Sequence, residues 1–124
     1  MSTYSPGEIA VKTGFSLDTL RYYERIGLLD DIARTAGGQR IFDDDDIAWL
    51  GILRCLRDTG MPIAQMRRYA DLTRDESAVR ERVALLEDHD REIGRRLEEL
   101  AAQREHIRGK IRYYRSLDAP GEGG

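Results

Sequence analysis

Cysteine occurs once in the 124 residues, at Cys55, and histidine twice, at His89 and His106. A single thiol excludes an internal disulfide framework, a zinc site built from several cysteines and a four-cysteine iron–sulfur cluster. With only two histidines besides, no metal and no cofactor is expected. No nucleophile–base pair or cofactor motif appears either, so the sequence does not read as an enzyme. Aromatics are sparse at 7 %, and six of the nine are tyrosine. The longest apolar run, Ile47 to Leu53, is seven residues, far too short to span a membrane. No basic segment followed by an apolar one opens the chain, so no secretory signal is expected. These absences lead to the expectation of a cytoplasmic protein without a membrane partner.

Excess charge of one sign is also missing. The net charge is −3, although charged residues make up 35 % of the chain. Residues 1–75 hold 10 basic and 12 acidic side chains, and residues 76–124 hold 10 and 11. Binding to nucleic acid would therefore require basic groups gathered on one face. Of the 20 basic residues 18 are arginine, with Lys12 and Lys110 the exceptions. Arginine suits bidentate contacts to phosphate and guanine, but a GC-rich genome also produces this bias. A hydrophobic share of 40 % is too high for a disordered chain, and the length allows one or two small domains.

Residues 1–75 break into short segments punctuated by Gly and Pro. Ser5-Pro6-Gly7-Glu8 reads as a helix start with a capping box, and Gly14 ends that helix after about two turns. Ser16 is the N-cap of a second helix that Gly27 stops. Two short helices joined by a Gly-containing turn match a helix-turn-helix unit. Ile32 to Phe42, with Gly37-Gly38 inside, carries a hairpin signal. Asp43 to Asp46 place four carboxylates at the start of a third helix reaching about Thr59. They lack the alternation and Gly of a calcium loop. Pro62 starts a fourth helix that ends near Thr73.

From Glu76 to Leu117 no proline occurs and the period changes. Val79, Val83, Leu86, Asp90, Ile93, Leu97, Leu100, Arg104, Ile107, Ile111 and Tyr114 alternate by four and three. Nine of these eleven are apolar, which predicts a coiled-coil helix of about 60 Å at about 1.5 Å per residue. A 75-residue head cannot cover such a seam, so a second copy of the chain is expected. A parallel pair would oppose Asp90 to Asp90 and Arg104 to Arg104; an antiparallel pair centred near Leu97 brings Asp90 beside Arg104 twice. His89 and His106 read as solvated positions on this helix. The expected organisation is a head over 1–75, a dimerisation helix over 76–117 and a disordered tail over 118–124.

The strongest chemical signal lies in Thr19-Leu20-Arg21-Tyr22-Tyr23-Glu24-Arg25-Ile26-Gly27-Leu28-Leu29. Leu20 and Ile26 point inward in this reading, leaving Thr19, Arg21, Tyr22 and Arg25 for a groove. A helix fits the DNA major groove, and Arg and Tyr contact bases and phosphates. An ordinary surface helix with a half-buried Tyr pair fits the same residues.

This stretch resembles the signature of the MerR family of bacterial transcription regulators. Ser5 to Ala10 is similar to that family's first helix, Gly38-Gln39-Arg40-Ile41-Phe42 to its wing, and Asp44 to Leu56 to its third helix. Gln39 stands where an aromatic is usual and Phe42 where Tyr is common. The resemblance covers residues 4–73 in detail and 76–117 in architecture. It implies a mainly α protein, with a winged helix-turn-helix DNA-binding head followed by a long antiparallel coiled-coil dimerisation helix. It implies DNA contacts from Ser16, Thr19, Arg21, Tyr22, Tyr23 and Arg25 on the recognition helix and from Gly38, Gln39 and Arg40 on the wing. Tyr23 fits packing as well as contact. The implied partners are double-stranded promoter DNA, a second copy of the chain and RNA polymerase. The implied mechanism distorts a promoter whose spacer is too long, so that both of its elements face the polymerase.

The large C-terminal domain of the family's drug sensors and the Cys loop of its metal sensors are not found after the helix. Cys55 resembles the thiol of a small subgroup that answers aldehydes, nitrosative stress or other electrophiles. Packing is the other reading: Ala48, Gly51 and Cys55 form a strip of small residues on nearly one helix face, where a neighbouring helix can approach. Cys55 also sits near its helix end, where the macrodipole disfavours a thiolate. Two alternatives remain open: a DNA-binding dimer without small-molecule input, and a coiled-coil adaptor that has lost DNA binding.

Overall fold

Capping chemistry sets where the helices begin. In the computed structural model, which describes residues 2–30 and 32–119, Ser5 caps α1 (Pro6–Thr13). The Ser5 side chain accepts from the Glu8 amide, and Glu8 in turn accepts from the Ser5 amide, both at 3.2 Å. Ser16 caps α2 (Leu17–Arg25) by accepting from the Thr19 amide at 3.1 Å. Asp43 caps α3 (Asp44–Asp58) in a second reciprocal box with Asp46, 2.9 Å each way. The aspartate run is thus a helix start, and its carboxylates face the positive end of the dipole. Pro62 precedes α4 (Ile63–Thr73), and its carbonyl accepts from the amides of Gln65 and Met66.

The end of α2 is equally specific. Gly27 takes φ +87°, the Leu28 amide reaches the Tyr23 carbonyl at 2.8 Å, and the Gly27 amide reaches Glu24 at 3.2 Å. That is a Schellman closure, which needs a residue tolerant of positive φ at this place. It turns Leu28 and Leu29 back into the core, where both are buried. The Trp49 indole then donates to the Leu28 carbonyl at 2.7 Å. Trp49 also stacks on Tyr69, with ring centroids 5.6 Å apart, joining α3 to α4.

Three short strands form one antiparallel sheet in the order β1 (Thr3–Tyr4), β3 (Arg40–Asp43), β2 (Ala33–Arg34). The central β3 pairs Thr3 with Asp43 and Tyr4 with Phe42 on one side, and Ala33 with Ile41 and Arg34 with Arg40 on the other. The β2–β3 hairpin is the expected one. The pairing of the N-terminal β1 is an addition, because a two-residue strand formed across 40 positions leaves no local signal.

Ile9, Phe15, Leu28, Phe42, Leu50, Leu53 and Met66 are fully buried and bind the helices and the sheet together. Each such side chain stabilises by about 1.5–3 kcal/mol relative to exposure. This is a winged helix-turn-helix. The chain divides into two compact units, Met1–Leu85 and Leu86–Gly124. The long helix α5 (Val79–Asp118) begins in the first and makes up the second as far as Asp118. The expectation of a disordered tail falls, for residues 120–124, outside the described residues; Asp118 is still helical. Among the described residues no helix is long and apolar enough to cross a membrane.

Candidate nucleic-acid interface

Helix α2 has two faces of different chemistry. Arg21, Tyr22 and Arg25 stand on the outer one at i, i+1 and i+4, all exposed. Among the described residues Arg21 pairs only with the exposed Asp18, at 3.4 Å, a weak tie. The Arg25 guanidinium lies over the Tyr22 ring at 5.4 Å, and Tyr22 keeps 39 % exposure. Ser16 and Thr19 flank this face at the helix start, where the Ser16 hydroxyl donates to Thr19 Oγ1 at 2.9 Å.

The inner face corrects one expected contact. Tyr23 is 3 % exposed and packs edge-on against Phe15, with centroids 5.4 Å apart. Burial raises its phenol above the ordinary value, against the opposing charge and hydrogen bond of Arg57. Tyr23 is therefore a core residue, because it shares the helix face of buried Leu20. Ile26, expected inside, is only partly covered because it already belongs to the turn.

The wing hairpin is held by its own backbone. The Thr35 amide donates to the Gln39 carbonyl at 2.8 Å and the Gly38 amide to the Thr35 carbonyl at 2.9 Å. The Gln39 amide reaches Thr35 Oγ1 at 3.1 Å. Its base is tied to α2 by Glu24, for which the sequence pattern indicates no role. Glu24 accepts from Arg34 Nη2 at 2.8 Å and from Arg40 Nε at 2.6 Å. Arg40, a wing residue expected to contact DNA, is 26 % exposed and engaged with Glu24. The available signal is an acid, Glu24, beside Arg25 and one turn from Arg21 on a helix otherwise suited to a groove.

Between α1, α2 and the wing lies an open groove of about 320 Å³. Arg21, Leu17, Gly38, Gln39 and Arg40 line it. The fold thus brings recognition-helix and wing residues, far apart in sequence, around one opening, with Arg21, Gln39 and Arg40 as its polar side chains. A helix of this kind can enter a major groove while the wing lies on flanking backbone.

Cys55 is not part of that groove. It is exposed near the end of α3, and Ala48 and Gly51 on the same strip are exposed as well. The neighbouring cations are engaged elsewhere. Arg54 donates to the Thr13 carbonyl at 2.6 Å, and Arg57 lies over the Phe15 ring at 4.6 Å. Among the described residues no group of His, Cys, Asp and Glu is arranged to hold a metal ion.

Along α5 the seam residues Val79, Val83, Leu97, Leu100, Ile107, Ile111 and Tyr114 are 43 to 62 % exposed. Leu86 and Ile93 are partly covered, while Asp90 and Arg104 are exposed. His106 is exposed as expected, but His89 is buried at 9 %. It falls on the row 82, 85, 86, 89 and 93, which holds the less exposed positions of the helix's first half.

A family model described as a MerR HTH family regulatory protein matches residues 4–73, and one described as MerR, DNA binding, matches residues 47–110. An uncharacterised HTH-type transcriptional regulator of Haemophilus influenzae is 33 % identical over 120 residues, covering 96 % of this chain and 89 % of the relative. The HTH-type transcriptional regulator AdhR of Bacillus subtilis is 35 % identical over 82 residues, covering 65 % of this chain and 59 % of AdhR. Among solved structures, HiNmlR, a MerR family regulator lacking the sensor domain and bound to promoter DNA, superposes with a TM-score of 0.87. Its identity is 33 %, with 95 % of this chain and 90 % of that one covered.

Proposed function

The chain belongs to the MerR family of helix-turn-helix transcriptional regulators, and from that premise we propose that it acts on promoter DNA as a homodimer. The observation that carries this reading is the groove where Arg21 of α2 meets Gly38, Gln39 and Arg40 of the wing. Residues 1–75 serve as the DNA-binding head and residues 76–117 as the dimerisation helix. Base contacts come from Arg21 and Tyr22, with Ser16, Thr19 and Arg25 on the adjoining backbone. The exposed apolar row of α5 supports dimerisation, since seven apolar seam positions left in water would cost several kcal/mol. Likeness to a regulator that lacks a sensor domain and binds promoter DNA supports the same assignment.

In this reading the dimer bends and undertwists an over-long spacer so that RNA polymerase engages both promoter elements, and it works in the cytoplasm. Phosphate contacts offset the deformation energy. Cys55 is the candidate input: it is exposed, so an electrophile can reach it. The experiment is a gel-shift titration with the DNA upstream of the chain's own gene, over a range of salt. Saturable binding that weakens steeply with salt is expected. Absence of binding at any salt would leave the coiled-coil adaptor. A Cys55→Ser variant that still activates transcription in response to electrophiles would leave a dimer without thiol input.

A further inference from the structure

Arg34 and Arg40 face each other directly across the two antiparallel strands of the wing. Like charges in that register repel, and the strand register here is short, pairing Ala33 with Ile41 and Arg34 with Arg40. The carboxylate that separates them comes from the recognition helix. Glu24 Oε1 takes Arg34 Nη2 at 2.8 Å and Arg40 Nη2 at 3.4 Å, while Oε2 takes Arg40 Nε at 2.6 Å. Arg34 also donates from Nη1 to the Gly38 carbonyl at 3.1 Å, which extends the tie to the tip of the hairpin. Glu24 and Arg40 are both about three-quarters buried, with side-chain exposures of 25 % and 26 %, so this pair is less screened than a surface one.

We propose that Glu24 is a positioning residue for sequence discrimination, because its single carboxylate locks the two wing arginines to the recognition helix and makes helix and wing one rigid reader. The inference rests on the DNA-binding reading and deepens it. Phosphate contacts set register and base contacts set specificity, so a wing fixed on α2 transmits its register on the backbone to Arg21 in the groove. One carboxylate against two guanidiniums leaves one surplus positive charge at the wing base. A released wing keeps its attraction for phosphate and loses its register.

Charge and position are separable by two variants. Glu24→Gln keeps the shape, removes the negative charge and leaves the arginines opposed. Glu24→Asp keeps the charge and is one methylene too short to bridge both. Fluorescence anisotropy is read for each dimer on a duplex enriched by the wild-type protein from a random pool, and on a scrambled duplex of the same composition. For Glu24→Gln the ratio of the two affinities falls about tenfold. Its binding to the scrambled duplex steepens with log salt by about one unit of slope. For Glu24→Asp the ratio falls with the slope unchanged. A merely structural role would lower both affinities by one factor, and that result overturns the proposal, as does an unchanged ratio in both variants. If circular dichroism shows Glu24→Gln unfolded, the Glu24→Asp ratio decides alone. Failure of the wild-type protein to enrich any duplex overturns the DNA-binding reading instead.

Discussion

Arg54 lays its guanidinium over the turn between α1 and α2, donating from Nη1 to the carbonyl of Thr13 at 2.6 Å. Gly14, the next residue, leaves the space for it. A Cβ at Gly14 would come within 2.9 Å of the guanidinium carbon of Arg54. Gly14 also holds φ +77°, where a side chain is strained in any case. The end of α3 thereby clamps the helix-turn-helix, with Arg57 over Phe15 and Asp58 accepting from both arginines.

Gly14→Ala is therefore expected to lose about 1–3 kcal/mol, from left-handed backbone strain together with displacement of Arg54. Urea unfolding followed by circular dichroism measures it. A variant as stable as the wild type would show that the turn relaxes at no cost.

The two adjacent tyrosines of α2 are expected to respond differently. Tyr22→Ala removes a half-exposed ring beside Arg25 and leaves stability within about 0.5 kcal/mol, while operator binding weakens. Tyr23→Ala empties a core position against Phe15 and costs about 3–5 kcal/mol of stability. Thermal unfolding and a gel-shift titration on both variants separate the effects. Equal losses of stability would contradict the assignment of the two faces.

The sequence leaves the role of Tyr23 open for a physical reason. Helix starts were legible because Ser5, Ser16 and Asp43 act on amides three residues away. The wing turn was legible from Gly37-Gly38. Tyr23 was ambiguous because a phenol suits both a core edge and a phosphate; only packing against Phe15 decides. The Glu24 bridge to Arg34 and Arg40 spans 10 and 16 residues, and no local pattern encodes it. The β1–β3 pairing and the Arg54–Thr13 bond are non-local in the same way. His89 is covered because it lies beside the seam members Leu86 and Ile93 on the less exposed side of the helix's first half, a position that heptad spacing alone does not single out.

Arg21→Ala tests the outer face most directly. Arg21 is exposed and makes only a weak pair with Asp18, so folding should be unaffected. Operator affinity should fall by about 1–3 kcal/mol at fixed salt. Unchanged affinity in an anisotropy titration would remove Arg21 from the interface.

In the proposed dimer the two charged members of the seam are expected to set the orientation. Asp90 and Arg104 occupy the same heptad class, and both are exposed in the single chain. Their midpoint is Leu97, so a two-fold axis near Leu97 sets Asp90 of one chain beside Arg104 of the other, twice. Strict layers in an antiparallel pair shift the centre by one or two residues, an offset of a few ångströms at about 1.5 Å per residue, within reach of an arginine. Each pair stabilises by only about 0–1 kcal/mol, but polar seam residues also fix register. Single charge reversals discriminate between the two orientations. In the antiparallel dimer Asp90→Arg alone replaces two attractions by two repulsions, weakening the dimer by about 1–2 kcal/mol, close to tenfold in Kd. Arg104→Asp alone does the same, and the double variant D90R/R104D restores the wild-type affinity. In a parallel dimer each single reversal only exchanges one like-charge clash for another, so affinity would hardly change. Sedimentation equilibrium of the four proteins reads the difference. Single variants that dimerise like the wild type would exclude the antiparallel arrangement, and with it the separation of the two heads that a palindromic site requires.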